Sequence, residues 1–179
     1  MSSMDVLDAI KQRFSVRKYL VKEIPVDVII RVLDAARYAP SYANMQGVRY
    51  IVVKNPDKVS KIKKAIPQKW IEGVPLFIAI ISAKEWSGKK DEDMLYYTLD
   101  VGSAVESLML AATAEGLGTC WIANFNEGEA KKVLKVPDEA RIVALISLGL
   151  PDEKPEAKNR LPLQKIAFLD QYGQEFVKF

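Results

Sequence analysis

From about Asp93 to Glu115 the chain reads as a single long helix, with Gly116 following it as a left-handed cap. Leu99, Val101, Ala104, Val105, Leu108, Met109, Leu110, Ala111 and Ala112 run almost all the way round it. A surface helix carries one apolar stripe, so this one must be buried on more than one side, in a core or an oligomer interface. The elements to surround it are legible. "PLFIAIIS" (75–82) is a continuous apolar run, short enough for a strand covered on both faces. "VRYIVV" (48–53), "TCWIANF" (119–125) and "RIVALISLG" (141–149) read as further strands.

Shorter helices lie between them. Residues 4 to 13 place Val6, Leu7 and Ile10 on one face, with Ser2 or Ser3 as cap. Residues 26 to 38 carry Ile29, Val32, Leu33 and Ala36 on one face, between Pro25 and Pro40. A basic helix is predicted over 57–66, and another over 127–134 with Asn126 as cap. After Pro151 the chain turns charged and proline-rich, so it cannot be helical through Pro155 and Pro162. Yet Leu161, Leu163, Ile166, Phe168, Leu169, Tyr172 and Phe176 follow, which a disordered tail would lack. They describe an extended arm that packs on something, a partner subunit being one choice. No repeat or linker divides the 179 residues, which form one domain spanning 1–179.

Composition excludes several chemistries. The chain has no histidine and one cysteine, so Ser-His-Asp and Cys-His catalysis, an internal disulfide and a zinc site are all ruled out as usually built. An enzyme of this composition leans on a cofactor for its hard chemistry. The net charge of +3 is spread among acids and matches no nucleic-acid module. The N-terminus carries Asp5 and Asp8 where a signal peptide is apolar, and no run approaches a membrane span. With the lone cysteine, this sets the expectation of a cytoplasmic protein with neither nucleic-acid nor membrane partners.

Two cationic stretches stand out. In "RFSVRKY" (13–19), Arg13, Ser15 and Arg17 alternate, and no acid lies between Asp8 and Glu23. On an extended segment they project to one side, which suits an anion such as phosphate, or else a solvated charge cluster. In "KNR" (158–160), Lys158 and Arg160 alternate in the same way and could complete a clamp built from both ends of the chain. "GLGTCW" (116–121) is no dinucleotide fingerprint, since Trp121 stands where the third glycine belongs and a helix precedes it. Cys120, mid-strand and without a base, reads as core. "PSYANMQ" offers Ser41, Asn44 and Gln46, either to the edge of a polar heterocycle or to water. The acids 91–93 complement the positive end of the long helix.

Taken together, "RFSVRKY", "APSYANMQ", "GLGTCWIANF" and "SLGLPDEKPEAKNRLPL" resemble, in order and spacing over nearly the whole chain, the nitroreductase family of FMN-dependent oxidoreductases. The resemblance implies an α+β fold with a central, mostly antiparallel sheet flanked by helices, and a C-terminal arm exchanged within a homodimer. It implies that Arg13, Phe14, Ser15, Lys158 and Arg160 surround the FMN phosphate and that Arg17 reaches the pyrimidine edge. Pro40, Ser41, Tyr42 and Asn44 would approach the flavin from the other subunit, and Gln46 would also bind the cofactor. Trp121, Ile122, Ala123 and Asn124 would lie along it, with the backbone N–H of Ala123 or Asn124 facing N5. The implied activity is hydride transfer from NADH or NADPH to a nitroaromatic, quinone or similar small-molecule oxidant by a ping-pong mechanism. Reductive dehalogenation, flavin breakdown or flavin binding without turnover are the alternatives. Gly47 departs from the family pattern, standing where proline often follows the glutamine.

Overall fold

The computed structural model describes residues 4–88, 95–154 and 158–176. Among them five helices, α1 (Val6–Gln12), α2 (Val26–Arg37), α3 (Pro56–Lys64), α4 (Tyr96–Ala114) and α5 (Glu127–Leu134), accompany four strands, β1 (Arg49–Val53), β2 (Leu76–Ser82), β3 (Gly118–Ile122) and β4 (Arg141–Gly149). The strands form one antiparallel sheet in the order β1-β2-β4-β3. The α+β class and the antiparallel sheet are as expected.

The sheet is covered on both faces, which explains the unbroken apolar run of β2. Side chains alternate along a strand, so Leu76, Ile78 and Ile80 point to one core and Phe77, Ala79 and Ile81 to the other. The first core is completed by Ile29, Val32 and Ala36 of α2 and by Val101, Val105 and Leu108 of α4. The second takes Val59 and Ile62 of α3 with Ala130 and Leu134 of α5. All of β2 is buried. At about 1.5–3 kcal/mol for each large apolar side chain, this strand is a principal source of folding free energy. The long helix α4 buries Tyr97, Val101, Ala104, Val105, Leu108, Met109 and Ala112, while Leu99 stays 58% exposed.

Some local expectations need correction. Asp5 caps α1, its carboxylate accepting from the Leu7 amide at 2.8 Å, whereas Ser2 and Ser3 lie outside the described residues. So do the acids 91–93 and the expected helix start at Asp93. The apolar face of α1 does not enter the core: Val6, Leu7 and Ile10 are exposed, and Ala9 alone is buried. The strand expected over 119–125 ends at Ile122, opposite Leu145. Beyond that point the Asn126 amide donates to the Ala65 carbonyl at 2.7 Å, and its side chain caps α5 by accepting from Glu129. Capping a helix and continuing a ladder are incompatible for those few residues. No helix among the described residues is long and apolar enough to cross a membrane.

Candidate functional site

The segment 13–20 is extended and stitched to two places. Val16 donates to the Thr119 carbonyl of β3 at 2.9 Å, while Leu20 donates to Leu150 and Asp152 donates to Lys18, each at 2.9 Å. Tyr19 locks the seam: its buried hydroxyl donates to the Val16 carbonyl at 2.7 Å and shares a 2.7 Å hydrogen bond with Ser147 of β4. Burial pushes the Tyr19 phenol well above its ordinary range, so it stays neutral. The N-terminal cationic segment is thereby held beside the chain leaving β4.

Gly118 sits at the tightest point of this seam. A Cβ built there would meet Val16 side-chain atoms at 2.6–2.9 Å, and Val16 is itself fully buried. Gly118→Ala should therefore lower stability by about 1–3 kcal/mol, read as a shifted urea midpoint with an unchanged slope.

The seam produces a cleft of about 410 Å³ lined by Phe14, Ser15, Arg17, Lys18, Glu153, Lys154 and Lys158. Residues from opposite ends of the sequence meet here, as the two cationic motifs suggested. Four cations face one acid, and that acid is engaged: Glu153 accepts from the amides of Arg17 and Lys18 at 2.5 and 3.3 Å. Arg17 lies 5.9 Å over the Trp70 ring and donates to the Ser15 carbonyl at 3.3 Å. Among the described residues Arg17, Lys158 and Arg160 form no ion pair. Arg13 approaches Glu106 of α4 only to 3.9 Å. A concave surface whose cations form no ion pair among the described residues suits an anion, and the fork of a guanidinium beside a hydroxyl matches phosphate oxygens.

Other expected site residues are placed apart from this cleft. Trp121 is 39% exposed on β3, Ile122 is buried so that only its backbone could meet a ligand, and Ala123 and Asn124 are exposed just beyond the strand. Pro40, Ser41 and Gln46 line a different cavity of about 180 Å³, together with Asp100 of α4. Arg160 is exposed, and neither it nor Arg13 belongs to the lining of the cationic cleft. Gly47 proves to be close-packed: a Cβ there would lie 2.3 Å from the Trp86 carbonyl oxygen, which excludes proline at this position in the present fold. Cys120 is buried, and burial pushes its thiol up, as befits a core residue.

Comparison with known proteins decides the family. A family model described as "Putative TM nitroreductase" matches residues 5–178. The chain belongs to the nitroreductase family. It is 32% identical over 164 residues to a Methanothermobacter thermautotrophicus protein named "Putative NADH dehydrogenase/NAD(P)H nitroreductase", covering 88% of this chain and 83% of that one. It superposes on a nitroreductase family protein from Clostridium novyi NT with a TM-score of 0.79 at 33% identity, covering 97% of both chains. An FMN-dependent nitroreductase from Clostridium difficile R20291 aligns with a TM-score of 0.78 at 27% identity, over 90% of this chain and 98% of that one.

In this nitroreductase the structure adds residues that sequence reading missed. Glu153 sits within a charged run that carries no pattern, and Trp70 lies in a short turn far from Arg17 in sequence. Asp100 did leave a signal, being an acid set among the apolar residues of α4.

Proposed function

We propose that this nitroreductase is a homodimeric, NAD(P)H-dependent FMN oxidoreductase that passes hydride to a nitroaromatic, quinone or similar oxidant by a ping-pong mechanism. The observation that carries the reading is the meeting of Ser15, Arg17 and Lys158 in one cationic cleft. Ser15 and Lys158 fit the FMN phosphate, a hydroxyl beside a cation that forms no ion pair among the described residues, and Arg17 in the same cleft is left for the pyrimidine edge. FMN, when bound, would supply hydride acceptance and donation, and the hydride transfer itself requires no acid or base from the protein, which agrees with a histidine-free chain; the proton that completes reduction of the oxidant comes from solvent.

The chain's residues bind, orient and tune. Arg13, Ser15, Lys158 and Arg160 hold the phosphate, beside Phe14, which lines the cleft and packs against the core. Arg17 serves the pyrimidine edge, where a fixed cation favours negative charge. The backbone after β3, at Ala123 and Asn124, faces the reacting side, flanked by Trp121 and Ile122. Pro40, Ser41, Tyr42, Asn44 and Gln46 of each subunit close over the flavin of the other. Their separation from the cationic cleft of their own chain supports this division, as does the exposed apolar surface of α1, Leu99 and the arm. The arm, residues 161–176, extends to the partner.

The test is phosphate-specific. Arg13→Ala and Arg160→Ala should each weaken FMN binding by about 1.5–3 kcal/mol, the usual worth of a charge-assisted contact. Riboflavin, lacking the phosphate, should bind the wild type more weakly than FMN and lose little more in the mutants. Equal FMN affinity in all three proteins, measured by flavin fluorescence quenching, would place the phosphate elsewhere.

A further inference from the structure

The loop 40–46 holds an expensive conformation. Ala43, Asn44 and Gln46 have φ of 46°, 56° and 51°, in the left-handed region that side chains disfavour by about 1 kcal/mol or more each. Within the loop, Ser41 Oγ accepts from the Gln46 amide at 2.9 Å. The Asn44 and Met45 amides donate to the Ser41 and Tyr42 carbonyls at 3.0 and 2.9 Å, Arg49 donates to the Gln46 carbonyl at 2.7 Å, and two further contacts come from α4. The Tyr42 ring stacks on Tyr96 at 4.4 Å and 8°, and the Tyr42 amide donates to Asp100 Oδ1 at 2.9 Å.

Asp100 is an unusual choice for such a task. It is 5% exposed, and among the described residues its Oδ2 has no hydrogen-bond partner and it joins no ion pair. Arg37 and Arg49 line the same cavity but are engaged, Arg37 with Asp34 and Arg49 with the Gln46 and Val48 carbonyls. Burying a carboxylate with one unsatisfied oxygen costs stability, and an apolar residue would pack at this helix position at no such cost. What the acid does provide is an acceptor aimed at the backbone of the strained loop.

We propose that Asp100 is a positioning residue that fixes loop 40–46 in the shape that serves the flavin held by the opposite subunit. The inference rests on the reading that this loop, through Ser41 and Asn44, completes a site shared by two chains. If so, the effect of Asp100 is felt across the interface, and the cationic cleft of its own chain is untouched.

Three variants and one mixing experiment test it. Asp100→Ala should weaken FMN binding to the apoprotein about tenfold, the loss expected for one hydrogen bond. Asp100→Asn keeps an oxygen that can accept from Tyr42 and should retain near wild-type affinity; a purely electrostatic role would not be rescued this way. Asn44→Gly, which removes the side chain while tolerating the left-handed backbone, should also weaken FMN binding. Should the alanine variant not fold, Asp100→Val, closer in volume and without an acceptor, gives the same comparison. In mixed dimers of an Asp100→Ala chain and an Arg13→Ala/Arg160→Ala chain, isolated by two affinity tags, one site combines an intact cleft with an intact loop. Half the flavin should then bind with wild-type affinity. Mixed dimers without any tight site would overturn the proposal, because Asp100 would be acting on its own chain's cleft. Wild-type affinity in Asp100→Ala beside a weakened Asn44→Gly overturns the role of Asp100 alone. Wild-type affinity in Asn44→Gly overturns the shared-loop reading and the inference with it.

Discussion

Deleting residues 161–179 should leave a colourless monomer. The arm carries Leu161, Leu163, Ile166, Tyr172 and Phe176, exposed by 57–93%, which is far more than a free tail of a stable protein presents. It is nevertheless shaped: the Phe168 and Tyr172 rings lie 4.7 Å apart, and the Leu169 amide donates to Gln174 at 3.0 Å across a turn. An ordered apolar segment left largely exposed among the described residues is expected to find cover on a second chain. The deletion leaves Arg13, Ser15, Arg17, Lys158 and Arg160 in place, so loss of flavin would report the loss of the partner's contribution. Sedimentation velocity together with the flavin absorbance of the purified protein reads both effects. Retained far-UV circular dichroism guards against simple unfolding, since the two cores flanking the sheet lie outside the arm. A truncated protein that stays a yellow dimer refutes the exchange of arms.

Arg17→Ala should lower the two-electron reduction potential of the bound cofactor by about 30–60 mV. The figure converts the 1.5–3 kcal/mol of a charge-assisted contact at about 30 mV per 1.4 kcal/mol for two electrons. The Arg17 guanidinium rests over Trp70 and on the Ser15 carbonyl without a carboxylate partner among the described residues, so its charge is available to a ligand in the cleft. Reduction adds negative charge to the pyrimidine edge, and a fixed cation beside it favours that state. Lysine should restore part of the shift, because it brings charge without the planar fork. Binding of oxidised FMN should fall less than in the Arg13 and Arg160 variants. A potential unchanged within error would assign Arg17 to the phosphate or the fold.

Much of the fold could be read in the sequence where local pattern and tertiary environment agree. The β2 run is apolar at every position because both faces are covered, and α5 begins at Asn126 because a side-chain cap is a local device. Reading failed where the deciding partner is distant. The face of α1 formed by Val6, Leu7 and Ile10 is periodic, but periodicity cannot say whether its cover is the same chain. The end of β3 is set by a hydrogen bond from Asn126 to Ala65, more than fifty residues away. For the candidate site, alternation within "RFSVRKY" put Arg13, Ser15 and Arg17 on one side, whereas the cleft takes Ser15 and Arg17 together with Phe14 and Lys18 and leaves Arg13 outside its lining. That they meet Lys158 depends on Tyr19 and Ser147, which hold the segment against β4 by contacts no short window contains. The grip of Asp100 on Tyr42 is of the same kind, joining residues 58 apart.

The seam that binds segment 13–20 to the exit of β4 also sets a schedule for biosynthesis. Arg17 and Glu153 are separated by 136 positions, so the cationic cleft closes over most of the polypeptide. At roughly 5–20 residues per second of translation, the first half of the cleft waits about 7–27 s for the second to be made. The bond from Val16 to Thr119 of β3 can form earlier, but the cationic segment lacks Glu153 and Lys158 until the end of β4 has been made. An anion that needs both halves of the cleft therefore finds its site only once the chain has been made past Lys158.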